Sequence, residues 1–198
     1  MKYNAVLLSL LATVGFSTYT IGSVRWAIAH SPSQTTIAPT LAKNAPPATQ
    51  APLYEGLSAY NYPISTQNPL AQRYFNQGLL LAYGFNHAEA ARSFQQAAKL
   101  DPNCAMCYWG EALVQGPNIN AAMDKDAVSP AWTALQTAMR LSKSARPHEK
   151  ALIQALAKRY TPQLPADRKP LDLAYANAMR EVAQRYPTDL DAATLFAE

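Results

Sequence analysis

The chain has 198 residues, 49% of them hydrophobic and 15% charged, which is long enough for one domain with a real core. Basic residues outnumber acidic ones by 17 to 13, but Lys2 and Arg25 are the only charged residues among the first 29, so residues 30–198 carry 15 basic against 13 acidic side chains. This balance does not support a nucleic-acid-binding surface. Two cysteines exclude a disulfide-rich scaffold and do not make a tetrahedral zinc site by themselves, so no metal and no cofactor are expected.

The amino terminus has the pattern of an export signal. Lys2 precedes a long uncharged, largely apolar stretch, and Ala27-Ile28-Ala29 is a small-x-small cleavage site. We therefore expect residues 1–29 to be a signal peptide and the protein to be periplasmic. If the signal is not cleaved, residues 3–24 are long enough to span a bilayer and to tether the protein to the membrane, facing the periplasm.

A linker is expected after the signal, over residues 30–53. Its composition is dominated by Pro, Ala, Thr, Ser and Gln, with almost no large apolar side chain. Such a segment buries too little apolar surface to offset the entropy of ordering it. The folded domain is therefore expected over residues 54–198.

That domain is predicted to begin with a pair of helices. Asn68-Pro69 is a capping residue followed by the residue best tolerated in a first turn, and apolar residues then recur at helical spacing. Gly84-Phe85-Asn86 interrupts the pattern, and a second amphipathic segment runs from Glu89 to Leu100. Two such helices with a short turn form an antiparallel hairpin.

A repeat is expected, because a lone helical hairpin does not bury its apolar face. The segment Ala71–Pro102 resembles a tetratricopeptide repeat. Leu81 stands where the family usually has tyrosine, and Gln77 stands where it usually has leucine. The matching positions are Tyr74, Gly78, Ala90, Phe94, Ala97 and Pro102.

Fainter units follow at about residues 105–143 and 146–187, with a partial unit at 190–198. In the second unit Ala112 stands in place of the glycine at which the helices approach. The resemblance implies an all-α fold of stacked antiparallel helix hairpins, an α-solenoid. The last half-unit is expected to expose Leu195 and Phe196, so that the chain is either a part of a longer protein or self-associates there.

The family resemblance implies a non-enzymatic scaffold that binds a protein or peptide in a concave groove lined by the first helix of each pair. No nucleophile with a base, no recognisable carboxylate pair and no phosphate-binding loop is present, so no catalytic residue is expected. The alternative is that the apolar side chains of this face are ordinary core. The candidate partner-binding residues are Phe75, Leu79, Tyr83, Met106, Trp109 and Lys150.

Two loops are expected to be neighbours at one edge of the stack. They carry Asn86 and His87 in the first and Asn118 and Asn120 in the second. His87 is suited to acid–base work or metal binding. The competing interpretation is that the asparagines cap helices and that His87 packs at the start of its helix.

The pair Cys104 and Cys107 lies at the start of a predicted helix. This spacing permits a disulfide, which an oxidising compartment favours, but it also fits inert thiols packed between repeats. Redox catalysis or metal binding by this pair is the alternative function. Tyr108 follows the pair where c-type haem attachment requires histidine.

Overall fold

A computed structural model describes residues 50–57 and 59–197. These residues form seven α-helices and no β-strand, which confirms the predicted all-α class for this part of the chain. The predicted signal peptide and most of the predicted linker lie outside the described residues. The helices are α1 (Pro69–Tyr83), α2 (His87–Leu100), α3 (Ala105–Val114), α4 (Val128–Leu141), α5 (Pro147–Leu156), α6 (Lys169–Arg185) and α7 (Leu190–Ala197).

Local sequence explains where the first helices begin. The side chain of Asn68 accepts hydrogen bonds from the backbone N–H groups of Leu70 and Ala71, at 3.0 and 3.2 Å, and Pro69 occupies the first turn. Asn86 caps α2 by accepting from the backbone N–H of Glu89. Side-chain acceptors of this kind satisfy donors that have no partner inside the helix.

Helices adjacent in sequence pack against each other. The pairs α1 with α2, α3 with α4, and α5 with α6 are in contact, and α2, α4 and α6 each contact the next helix along the chain. In addition, α3 contacts both α1 and α5. None of the helices among the described residues has the length and hydropathy that crossing a bilayer requires.

Phe94 of α2 is the centre of the core between the first two pairs. It is fully buried, and its ring lies 5.4 Å from that of Phe75. Cβ atoms added to Gly78 and Gly110 would lie 2.8 and 2.3 Å from this ring, so both positions require glycine for the close approach. In the second unit Ala112 is buried as well.

The last helix is packed into the core. Ala192 is 0% exposed and Leu195 is 4% exposed, while Phe196 is half-buried with the Arg180 guanidinium 5.4 Å from its ring centre. The expectation that Leu195 would be exposed is therefore wrong, because α7 buries it against the rest of this chain. The apolar surface on which we based self-association is reduced accordingly.

Candidate functional site

A segment of this chain, which we call the arm, lies against α1. The arm comprises residues 50–57 and 59–66, has a turn at residues 55–56, and buries Ala51, Tyr62 and Ile64. The phenolic O–H of Tyr74 donates a hydrogen bond to the carbonyl of Ala51 at 2.9 Å. Ordered contacts therefore begin before the predicted domain boundary at residue 54, since residues 50–53 belong to the predicted linker.

Three side-chain amides of α1, which we call the amide face, bind the main chain of the arm. Gln77 donates to the carbonyl of Pro52 at 2.8 Å and accepts from the backbone N–H of Tyr54 at 2.7 Å. Each amide thus uses both its donor and its acceptor on one stretch of backbone. The amide face consists of Gln72, Asn76 and Gln77.

The other two amides repeat this arrangement along the arm. Asn76 donates to the carbonyl of Tyr60 and accepts from the N–H of Tyr62, both at 3.2 Å. Gln72 donates to the carbonyl of Tyr62 at 2.8 Å and accepts from the N–H of Ile64 at 2.9 Å. In all three cases the amide joins the C=O of one arm residue to the N–H of the residue two positions later.

This pattern is the one by which a parallel β-strand binds its neighbour, because a carbonyl and the N–H two residues later lie on the same edge of an extended chain. The amide face therefore imitates a strand edge with side chains. Main-chain hydrogen bonds of this kind are independent of the arm's side chains and suit any extended segment.

Two of the three amides, those of Asn76 and Gln77, are buried, Gln72 is half-buried, and the protein satisfies all three. Gln77 is 2% exposed, and its Nε2 also donates to Ser93 Oγ at 3.0 Å. Asn76 is 8% exposed, and its Oδ1 also accepts from Gln72 at 2.8 Å. A buried amide without partners costs about 1–3 kcal/mol, so these positions are stable only while an extended chain covers them.

Tyr62 anchors the arm at a second surface. Its ring lies 6.3 Å from the rings of both Phe75 and His148, and its phenolic O–H donates to Asp189 at 2.7 Å. His148 in turn lies 6.1 Å from Tyr186, edge-on. The arm therefore connects α1 with α5 and with the residues just before α7.

Asp191 in α7 receives two tyrosine hydroxyls. Tyr83 donates to its Oδ1 at 2.7 Å, and Tyr60 of the arm donates to the same oxygen. Burial and the bonds to this carboxylate raise the pKa of both tyrosines above the usual value, which keeps them protonated donors. The same two causes, with Asp189 as the acceptor, raise the pKa of Tyr62.

The end of the arm is held by Glu149 in α5. This carboxylate is fully buried and accepts from the backbone N–H and the hydroxyl of Ser65, both at 2.6 Å, and from the backbone N–H of Arg146 at 2.9 Å. Burial alone would raise the pKa of Glu149, but the hydrogen bonds from Ser65 and Arg146 outweigh it and hold the pKa below its usual value. Glu149 is therefore a charged acceptor for the arm at neutral pH.

The structure corrects four of the six predicted partner-binding residues. Phe75, Leu79, Met106 and Trp109 are at most 2% exposed, so they pack between helices and offer no surface to a partner. Tyr83 is half-buried and bonded to Asp191, and Lys150 is half-exposed on α5. The competing interpretation, ordinary core, applies to the four buried side chains.

The structure brings the two predicted loop-site segments together. His87, Asn118 and Asn120 line one cavity of about 420 Å³. Asn86 caps α2, and Asn118 accepts from the N–H groups of Asn120 and Ala121, at 2.8 and 3.1 Å, to form its own turn. The side chains of Asn86 and Asn118 therefore bond to the backbone, Asn120 is exposed, and His87 is the first residue of α2.

Cys104 and Cys107 form a disulfide. Both residues are 0% exposed, and Cys104 Sγ accepts from the backbone N–H of Cys107 at 3.1 Å at the start of α3. Thiol–disulfide exchange requires access of an attacking thiolate to a sulfur. Within residues 50–57 and 59–197, no group of three His, Cys, Asp or Glu side chains is placed to hold a metal ion. The described structure thus gives the redox alternative no specific support.

Sequence reasoning noted Gln77 where leucine is usual, but it did not identify the amide face. The available signal was the concentration of Gln72, Asn76 and Gln77 within one helix. Buried side-chain amides need hydrogen-bond partners, and the backbone of an extended segment has free carbonyl and N–H groups that supply them.

Comparisons with known proteins leave the interpretation to this geometry. No family model, no curated protein and no solved structure matches the chain.

Proposed function

We propose that this chain is a non-enzymatic scaffold that binds extended protein segments by their main chain on the amide face of α1. The observation that carries the proposal is the repeated contact of Gln72, Asn76 and Gln77 with a carbonyl and the N–H two residues further along. A helix that only packed in a core would carry apolar side chains at these positions, as the resemblance to tetratricopeptide repeats leads one to expect at Gln77.

We further propose that the helices form a tetratricopeptide-like solenoid, with α1, α3 and α5 as its inner layer. The contacts of α3 with both α1 and α5, and of each second helix with the next first helix, support this arrangement. The arm runs over this layer, since it bonds to α1 through the amide face and to α5 through Glu149. A concave face of this kind is where repeat proteins bind extended ligands.

In this proposal the arm is an exchangeable occupant of the binding surface. Its contacts with the amide face use backbone groups only, so a partner segment in an extended conformation reproduces those of residues 60–64 with Gln72 and Asn76 without matching the arm's sequence. The arm adds specific anchors through Tyr60, Tyr62 and Ser65. A partner therefore replaces the arm when these anchors are weaker than its own.

We also propose that the protein is exported. The support is the buried disulfide between Cys104 and Cys107, since disulfides persist in oxidising compartments and are rare in the cytosol. Fractionation of cells that produce the full chain tests this: recovery in the envelope supports export, and recovery only in the cytosol contradicts it.

The binding proposal is tested with the arm supplied in trans. A fluorescent peptide of residues 50–66 is titrated into the full chain and into the double variant Tyr60→Phe, Tyr62→Phe, which lacks the hydroxyls that bond to Asp191 and Asp189. Loosening the resident arm should tighten peptide binding by about tenfold for each 1.4 kcal/mol of anchoring removed.

Two further substitutions in the double-variant background make the test specific. Asn76→Leu should weaken peptide binding at least about tenfold, because one backbone carbonyl and one N–H then lose their partner. The matched control is Gln136→Leu on the exposed face of α4, which should leave binding unchanged. Equal binding by the wild type and the loosened variant, or no effect of Asn76→Leu, would overturn the proposal.

A further inference from the structure

A second cavity lies away from the arm, where the carboxyl ends of α1 and α3 meet α7. Its volume is about 300 Å³, within the range of small-molecule sites. No arm residue lines it. Its wall is mainly apolar and includes Ala82, Leu113, Ile119 and Leu195.

Of the described residues that line this wall, Arg159 alone carries a full positive charge. Its Nη2 donates to the carbonyl of Pro117 at 2.7 Å, and its guanidinium lies 4.6 Å from the ring centre of Tyr175, so the group is held in place. Among the described residues Arg159 forms no ion pair with a carboxylate. Its Nε is buried and has no hydrogen-bond partner in the part of the chain that the structure describes. The positive charge at the wall is therefore uncompensated by the described part of the chain.

His87 adds a second polar group with unused hydrogen-bonding capacity. It lines the same cavity, and both of its ring nitrogens are buried without a partner from the described residues. Leaving a buried polar atom unpaired costs about 1–3 kcal/mol. Few convergent polar groups in an otherwise apolar wall are typical of a ligand site.

Phe85 lines the same cavity. Its φ is 58°, in the left-handed region that glycine adopts freely, and the side chain is 51% exposed. This conformation belongs to the end of α1, where the N–H of Phe85 donates to the carbonyl of Ala82 at 3.0 Å and the N–H of Asn86 donates to that of Leu81 at 2.8 Å, as in a Schellman motif. The helix end requires a left-handed residue at this position, and Phe85 brings an exposed aromatic ring to the wall of the cavity.

We propose that this cavity binds a small amphiphilic carboxylate, with the aliphatic body against the apolar wall and the carboxylate paired with Arg159. A guanidinium favours carboxylates because it donates several hydrogen bonds in a planar fork. The apolar wall gains from burying an aliphatic chain, and the fixed cation selects against neutral or positively charged heads. This site is independent of the amide face, so the two proposals stand or fall separately.

The proposal is tested by calorimetric titration of the full chain with decanoate and with decanol. Decanoate should bind saturably with one site and at least about tenfold more tightly than decanol, because only decanoate forms charge-assisted hydrogen bonds to Arg159. In Arg159→Gln this preference should disappear while decanol still binds. The matched control, Lys158→Gln, removes a neighbouring exposed charge and should keep the preference.

Thr194→Trp provides a test that does not depend on Arg159. Thr194 is exposed, lies on α7 and lines the cavity, so a large side chain there should block both probes without disturbing the core. Equal affinity for decanoate and decanol in the wild type, or loss of the preference in Lys158→Gln as well, would show that the site does not select carboxylates. Undiminished binding in Thr194→Trp would show that the probes bind elsewhere.

Discussion

Two surfaces of the first helical pair are covered in opposite ways. Around Phe94, two glycines bring helices so close that added Cβ atoms would lie 2.8 and 2.3 Å from the ring. Along the amide face, an extended chain is held by side-chain amides that bond to its backbone. The first surface is determined by volume, and the second by hydrogen bonding.

This difference indicates which of the two surfaces is able to bind another segment in place of the one that packs on it. Packing around Phe94 depends on the shape of its neighbours, so any change of volume is felt. At Gln72 and Asn76 the amide face requires only the carbonyl and N–H groups of one extended stretch, which residues 60–64 supply in the arm. We therefore expect the amide face, which recognises a backbone, to serve binding. The packing around Phe94, which depends on shape, is expected to serve stability.

The largest expected effect on stability comes from removing the Phe94 ring. Phe94→Ala should lower the free energy of unfolding by about 3–5 kcal/mol, because it leaves a cavity between α1, α2 and α3. Urea unfolding followed by circular dichroism measures the change. Phe85→Ala, at an exposed phenylalanine, is the control and should change stability by less than about 0.5 kcal/mol. Similar losses in both variants would contradict the central role of Phe94.

Glu149→Gln removes the charged acceptor at the end of the arm. At pH 7 it should cost about 2–3 kcal/mol, since hydrogen bonds to a charged group are the stronger kind. Because the folded state lowers the pKa of Glu149, its contribution is present above the unfolded value of about 4.3 and is lost as pH falls through the folded value.

The difference between wild type and Glu149→Gln should therefore shrink as the pH is lowered from 6 towards 3, as unfolding curves at several pH values would show. Glu181→Gln, at an exposed position, is the matched control and should have little effect at any pH. A difference between wild type and Glu149→Gln that stays constant with pH would contradict the charged role of Glu149.

Gln77→Leu sharpens the comparison, because it restores the residue usual in the resembling family. Leucine is an apolar side chain of similar length, but the N–H of Tyr54 and the carbonyl of Pro52 lose their partner, and the hydroxyl of Ser93 keeps only its bond to the carbonyl of Glu89. Stability should fall by about 1–3 kcal/mol, and limited proteolysis should cut residues 50–57 faster. Gln136→Leu should leave both unchanged; a stabilised variant with a protected arm would mean that the amide has no role in holding it.

The smallest effect is expected for single hydroxyls at Asp191. Tyr83→Phe should cost about 1 kcal/mol, because Tyr60 still donates to the same carboxylate. Tyr54→Phe removes an exposed hydroxyl that donates to Glu89 at 3.3 Å and should cost less than about 0.5 kcal/mol. Thermal melts measure the loss of stability in each variant. An equal loss in both, or a larger loss in Tyr54→Phe, would contradict the stabilising role of the hydrogen bonds to Asp191.

Periodicity predicted the elements that rest on packing. Helical spacing in the sequence identified α1 and α2. The resemblance gave Gly78 as a position where helices approach, and in the structure Gly78 lies against the ring of Phe94 in α2. The arm was not predicted, because the composition of residues 50–53 indicates a linker and the contacts of the whole arm depend on backbone groups that no side-chain pattern reveals. The burial of Leu195 was missed for a similar reason, since it depends on how α7 is held by Tyr60, Tyr62 and Tyr83 from distant parts of the chain.

Hydrogen–deuterium exchange of individual arm amides tests the central claim most directly. The backbone N–H groups of Tyr54, Tyr62 and Ile64 are the ones that donate to the amide face. The account predicts that these three exchange slowly in the full chain, and that Asn76→Leu accelerates Tyr62 while amides inside α2 keep their protection. Exchange of all three at the rate of an unprotected peptide would contradict it.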